Sequence, residues 1–158
     1  MNVLLTMIML WLAANSDLPA NSELPKVEFV LAEEITLLRY GALLSEEKRR
    51  EVLAKHRQTI SLGKPPDVVA VYIDAKKTIF LPEEWTWNSP VELSSLVHEM
   101  VHHLQNLSGM KFACSQEREA LAYAAQNRWL GLFGHDLEHD FGIDPFTLLV
   151  STRCINGL

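Results

Sequence analysis

Apolar and polar positions along the chain change period several times, and each change predicts an element. Met1 to Ala14 carries no charged side chain, and Val3 to Ala14 is apolar apart from Thr6. Asn15-Ser16-Asp17-Leu18-Pro19 and Asn21-Ser22-Glu23-Leu24-Pro25 then form a short polar repeat with two prolines, the composition of an extended linker. Val27 to Leu31 alternates with a β-branched bias and predicts a strand; Ala32 to Tyr40 repeats at helical spacing and is closed by Gly41. Ser45 can cap a second helix running to Gln58. After the break at Gly63-Lys64-Pro65-Pro66-Asp67, Val68 to Asp74 and Thr78 to Leu81 are β-rich runs around Ala75-Lys76-Lys77. They predict a hairpin ended by Pro82.

The best-marked helix follows. Ser89 is a capping residue, Pro90 suits the first helical position and Glu92 stands at the third, so the helix is expected from here to Leu107, with Gly109 as its stop. Leu93, Val97, Met100, Val101 and Leu104 share one stripe; Ser94, His98, His102 and Gln105 share another. A further helix opens at Ser115 and continues to Leu132, and Asp144-Pro145 starts a last one ending near Thr152. Strand, helices, hairpin and helices make an α+β chain, and 158 residues suit one domain with a proper core.

Charge and cysteines narrow the partners and the compartment. A net charge of -6 gives no basic surface for nucleic acid; the run Lys48-Arg49-Arg50 lies between Glu47 and Glu51 and reads as a solvated helix face. The apolar N-terminal run has the length of a signal-peptide core and is too short to span a bilayer, so residues 1–20 are expected to be leader and linker, and 21–158 the domain. The expected location is exported, periplasmic or secreted, with a membrane-anchored N-terminus or a buried N-terminal helix as the alternatives. Cys114 and Cys154 can pair in such an oxidising compartment.

His98-Glu99-Met100-Val101-His102 puts two imidazoles one helical turn apart, where both can reach one zinc ion at about 2.0 Å. Glu99 is offset from them, free to act as general base on a zinc-activated water. A third ligand is expected from the next helix, where Glu117 and Glu119 stand two residues, about 200°, apart and cannot both face the metal.

This pairing of His-Glu-x-x-His with a downstream Glu-x-Glu-Ala, over Val68 to Leu132, resembles the gluzincin metallopeptidases, in particular small exported bacterial members. The resemblance implies a minimal zincin-like fold: a small, mostly antiparallel sheet packed on the His-Glu-x-x-His helix, followed by the Glu-bearing helix. It implies one zinc ion held by His98, His102 and a glutamate. Family practice favours Glu117, with Glu119 as the alternative, since Ala120 and Ala122 stand three residues after each. The implied activity is hydrolysis of a peptide or protein substrate, Glu99 being the catalytic base. Many gluzincins carry a histidine-orienting Asp or Asn four residues after the glutamate; here those positions are Leu121 and Tyr123.

Tyr123, His103 and His135 are candidates for stabilising an oxyanion, and Trp85 and Trp87 for lining a cleft, each with packing as its plainer role. Thr78 to Leu81, if it is a sheet edge, could pair with an extended substrate. The inverted motif His135-Asp136-Leu137-Glu138-His139 lacks a later glutamate and is expected to be a loop or short helix. The alternative function is a non-catalytic zinc-binding or protein-interaction domain.

Overall fold

A computed structural model describes residues 1–19, 21–40, 45–61 and 70–154. Gly41, the break at 63–67 and Val68 lie outside the described residues. The elements are α1 (Asn2–Asn15), β1 (Lys26–Val30), α2 (Ala32–Tyr40), α3 (Glu46–Ser61), β2 (Val71–Ile73), a short 3-10 turn (Asp74–Lys76), β3 (Thr78–Pro82), α4 (Pro90–Leu107), α5 (Ser115–Gly131), α6 (Leu137–Phe141) and α7 (Pro145–Ser151). The protein is α+β, as expected. The chain groups into two compact units: Met1–Pro25 with Thr86–Leu158, and Lys26–Trp85.

The second unit holds the sheet. β2 and β3 form the expected antiparallel hairpin, with Val71 opposite Phe80 and Ile73 opposite Thr78, and Lys77 takes the left-handed conformation (φ 49) at the turn. β1 pairs with β3 in parallel, Lys26 opposite Thr78 and Val30 opposite Pro82. A parallel pair needs a long crossover, and α2 and α3 lie within the one between β1 and β3. The sheet is therefore mixed rather than mostly antiparallel, in the order β1-β3-β2. This overturns the edge-strand expectation for Thr78 to Leu81. β3 is the central strand, its backbone groups engaged on both sides, so a substrate strand cannot add there. Ile35 of α2 packs with Val71 and Phe80, flanked by Val30, Leu38 and Ile73. On α3 the mixed charges are exposed pairs at i,i+3, Lys48 with Glu51 and Arg49 with Glu46, worth a few tenths of a kcal/mol each at most.

The first unit is helical. Residues 2–15, expected as an export leader, form α1, which buries Leu5, Ile8, Met9 and Leu12 at helical spacing within this unit. Trp11 meets Trp129 edge to face at 5.3 Å, and Arg128 Nη1 donates to the Asn15 carbonyl (2.8 Å). No described helix is long and apolar enough to cross a membrane. The polar repeat after α1 is also tied down: Leu18 is buried, and His103 Nε2 donates to the Glu23 carbonyl at 2.8 Å.

α4 begins where its caps predict, Ser89 Oγ accepting from Val91 N, with Pro90 at the first position. Its end is a Schellman turn: Met110 N donates to Gln105 O and Gly109 N to Asn106 O, with Gly109 at φ 62, a conformation that favours glycine. Glu92, expected to close the cap, instead accepts from Thr86 Oγ1 (2.7 Å). α5 packs along α4. α7 is capped by Asp144, which accepts from the Phe146 and Thr147 amides. Those bonds, chiefly the one from the Thr147 amide and then the one from its hydroxyl, hold the Asp144 carboxyl below its ordinary pKa.

Cys114, at the start of α5, is joined to Cys154 after α7, with their Cα atoms 5.7 Å apart. By loop entropy alone, closing 40 residues contributes about 4 kcal/mol through the unfolded state. Cys114→Ser together with Cys154→Ser is expected to lower the denaturant midpoint accordingly, with secondary structure retained by circular dichroism; an unchanged midpoint would show that the bond adds nothing.

Candidate metal centre

The site is built on the facing surfaces of α4 and α5. Ser94, His98, His102 and Gln105 fall on one stripe of α4, as expected, but that stripe is as buried as the apolar one: His98, Glu99 and His102 are 5%, 4% and 6% exposed. α5 covers it, which explains why the polar stripe is dry. Glu119 rises from α5 so that its Oε2 lies 3.0 Å from His98 Nε2 and 3.4 Å from His102 Nε2; the two Nε2 atoms are 3.2 Å apart. One donor atom from each of His98, His102 and Glu119 falls within 4.8 Å of the others.

Glu117, favoured by the gluzincin resemblance, is not brought to this cluster; Glu119, the alternative, is. It sits in the first turn of α5, exposed, and its Oε2 accepts from the Ala113 amide (2.6 Å), satisfying a donor at the helix start. Two residues on, Glu119 points the opposite way and meets α4. The geometric reason was available as an exclusion between the two glutamates, but not as a choice.

Behind each imidazole stands a glutamine. His98 Nδ1 is 3.0 Å from Gln126 Oε1, and Gln126 Nε2 donates to Ser94 Oγ (3.2 Å), whose own proton goes to the Val91 carbonyl (2.6 Å). His102 Nδ1 is 2.9 Å from Gln105 Oε1, and Gln105 Nε2 donates to the Arg118 carbonyl (2.9 Å). Arg118 Nε lies 3.2 Å from Gln105 Oε1 and 3.1 Å from His102 Nδ1, and its Nη2 donates to the His102 carbonyl. Carbonyls only accept and guanidinium groups only donate, so both amides are fixed with oxygen towards the imidazole. His98 Nδ1 therefore carries a proton; at His102 Nδ1 the Gln105 oxygen and the Arg118 Nε donor both lie within hydrogen-bond distance, and the Nε2 atoms of both rings face Glu119.

Two Nε2 atoms and a carboxylate oxygen at hydrogen-bond distance from one another need a proton or a metal ion between them. Burial acts to lower the pKa of His102, but the hydrogen bond to Glu119, the charges of Glu99 and Glu119 and the bond to Gln105 together hold it above the ordinary value. Burial likewise works to raise the pKa of Glu119, and the hydrogen bonds and charges of His102 and His98 reverse this, holding it far below the usual carboxylate range. Two nitrogens and one oxygen, converging from two helices, match the donor set of zinc sites that keep a position open for water or substrate.

Of the oxyanion candidates, only Tyr123 is placed against the cluster, its ring edge-on to His98 at 4.7 Å. His103 is fully buried and bound to Glu23 O; His135 pairs with Asp140 (3.0 Å). The inverted motif forms the short helix α6, capped by Asp136 and ended by Gly142 (φ 66), with His139 and Glu138 exposed. Trp85 is buried in the second unit, in keeping with packing, and Trp87 is half-buried with φ 65. Gln126, Arg118 and the fixing role of Gln105 were not read from the sequence. The signal was spacing: Tyr123 and Gln126 stand four and seven residues after Glu119, on the same face of α5.

The fold and site define an α+β protein with a His-His-Glu cluster on two packed helices, its histidines buried and its glutamate half-buried. Residues 66–156 match the family described as Domain of unknown function (DUF6647), and the chain belongs to that family. No curated protein and no solved structure matches the chain.

Because the hydrogen bond to Glu119 is the largest of the effects that raise the His102 pKa, ahead of the charge of Glu99, Glu119→Gln is expected to lower it, whereas Glu117→Gln leaves it in place. Histidine ring NMR titrations of chelator-treated protein read both; equal titrations in the two variants would contradict the geometry.

Proposed function

We propose that the chain is a zinc-dependent metallopeptidase of the gluzincin type, holding one zinc ion with His98, His102 and Glu119. The observation that carries this reading is the convergence of two Nε2 atoms and a carboxylate oxygen within 4.8 Å on a helix bearing His-Glu-x-x-His. When bound, the ion supplies Lewis acidity, lowering the pKa of water and polarising a carbonyl. Glu99 belongs to the same turn as both histidines, and its charge acts on His102. In this role its carboxylate takes the proton of the attacking water and passes it to the leaving amine of a peptide or amide bond. The Cys114–Cys154 disulfide supports an oxidising compartment, periplasmic or extracellular, as the place of work.

Burial of the cluster favours one second reading: a structural ion in a closed site, with the domain serving a binding role. The two readings differ in what Glu99 does. Elemental analysis of purified protein is expected to give one zinc per chain, retained in Glu99→Gln and Glu117→Ala and lost in Glu119→Ala. In the peptidase reading Glu99→Gln abolishes cleavage of a denatured protein substrate, a fall of at least about 100-fold. Zinc in the wild type with no cleavage of any peptide would favour the structural ion, and no zinc would end both.

A further inference from the structure

The glutamines behind the two imidazoles point to a property of the site that goes beyond its donor set. Histidines that bind metals are commonly held from behind by a carboxylate or a backbone carbonyl, which fixes the ring and raises its basicity. Among the described residues neither imidazole has one at Nδ1. His98 Nδ1 meets Gln126 Oε1 at 3.0 Å and His102 Nδ1 meets Gln105 Oε1 at 2.9 Å. Both glutamines are buried, Gln105 at 1% and Gln126 at 4% exposure, so these are dry contacts with no competing water.

Each amide is locked by its far end. Gln126 gives its Nε2 protons to Ser94 Oγ, a fully buried hydroxyl already committed to the Val91 carbonyl; Gln105 gives its own to the Arg118 carbonyl. Neither side chain can turn its nitrogen towards the imidazole without losing that bond. Gln105 Oε1 also accepts from Arg118 Nε, which brings a permanent positive charge to the back of the His102 ring.

We propose that Gln105 and Gln126 are positioning residues that orient His102 and His98 for a metal ion through neutral amide oxygens, leaving the ion with a larger net positive charge than a carboxylate-backed site would. This rests on the zinc reading above. Two neutral imidazoles and one carboxylate cancel one of the two charges of a divalent ion; carboxylates behind the rings would cancel more, and amides cancel none. At His98 the arrangement fixes the tautomer, which binding needs, and at both rings it gives up the electrostatic part of the affinity.

The test is zinc and cobalt affinity by competition with a chromophoric chelator, on apo protein, with the cobalt absorption spectrum as a reporter of ligand geometry. Gln105→Leu and Gln126→Leu remove the ring support and are expected to weaken binding about 10- to 100-fold and to alter the cobalt spectrum. Gln105→Glu and Gln126→Glu keep the shape, supply the missing charge, and are expected to bind more tightly than wild type. Circular dichroism melts of the apo variants report folding, and if the Leu variants do not fold the Glu variants still decide. Wild-type affinity and an unaltered cobalt spectrum in the Glu variants, or in folded Leu variants, would overturn the proposal and leave the zinc site standing. A wild-type protein that binds neither metal would overturn the zinc reading itself, and this inference with it.

Discussion

Two imidazoles on adjacent turns of a helix share a point in space only if each ring is held at its far nitrogen, and on this chain everything at the site follows from that requirement. The holding groups must be acceptors, must be dry, and must come from a position level with the rings. Gln105 meets these conditions from the same helix, one turn past His102; Gln126 meets them only because α5 lies along α4. The helix pair is thus the unit that assembles the cluster. Ser94, fully buried, and Arg118 are its supports, and neither needs to touch a substrate to matter.

Much of this was legible in the sequence, and the reason is local. The bounds of α4 follow from Ser89, Pro90 and Gly109, each of which satisfies or releases a specific backbone group at a helix end. The hairpin of β2 and β3 and the capped α7 are local in the same sense. What the sequence withheld is non-local. Nothing in Val27 to Leu31 says that its strand runs parallel to Thr78–Pro82, and that pairing makes β3 central rather than an edge. Glu117 and Glu119 have the same neighbours at the relevant spacing, and only the direction in which α5 lies on α4 separates them. The spacing Leu5, Ile8, Met9, Leu12 is the sequence sign of the face that α1 buries.

The disulfide also decides how the molecule would carry load. A pull applied at the two ends of the chain runs through covalent bonds, and between Cys114 and Cys154 the shortest covalent path is the sulfur bridge, not the 40-residue segment it closes. That segment contains Glu119, Tyr123 and Gln126. Its contour, on the order of 130 to 140 Å at 3.3 to 3.6 Å per residue, is hidden from extension while the bridge is intact. Stretching would therefore draw out α4, with both histidines, while the helix that faces them stays shielded: the cluster would come apart from one side only.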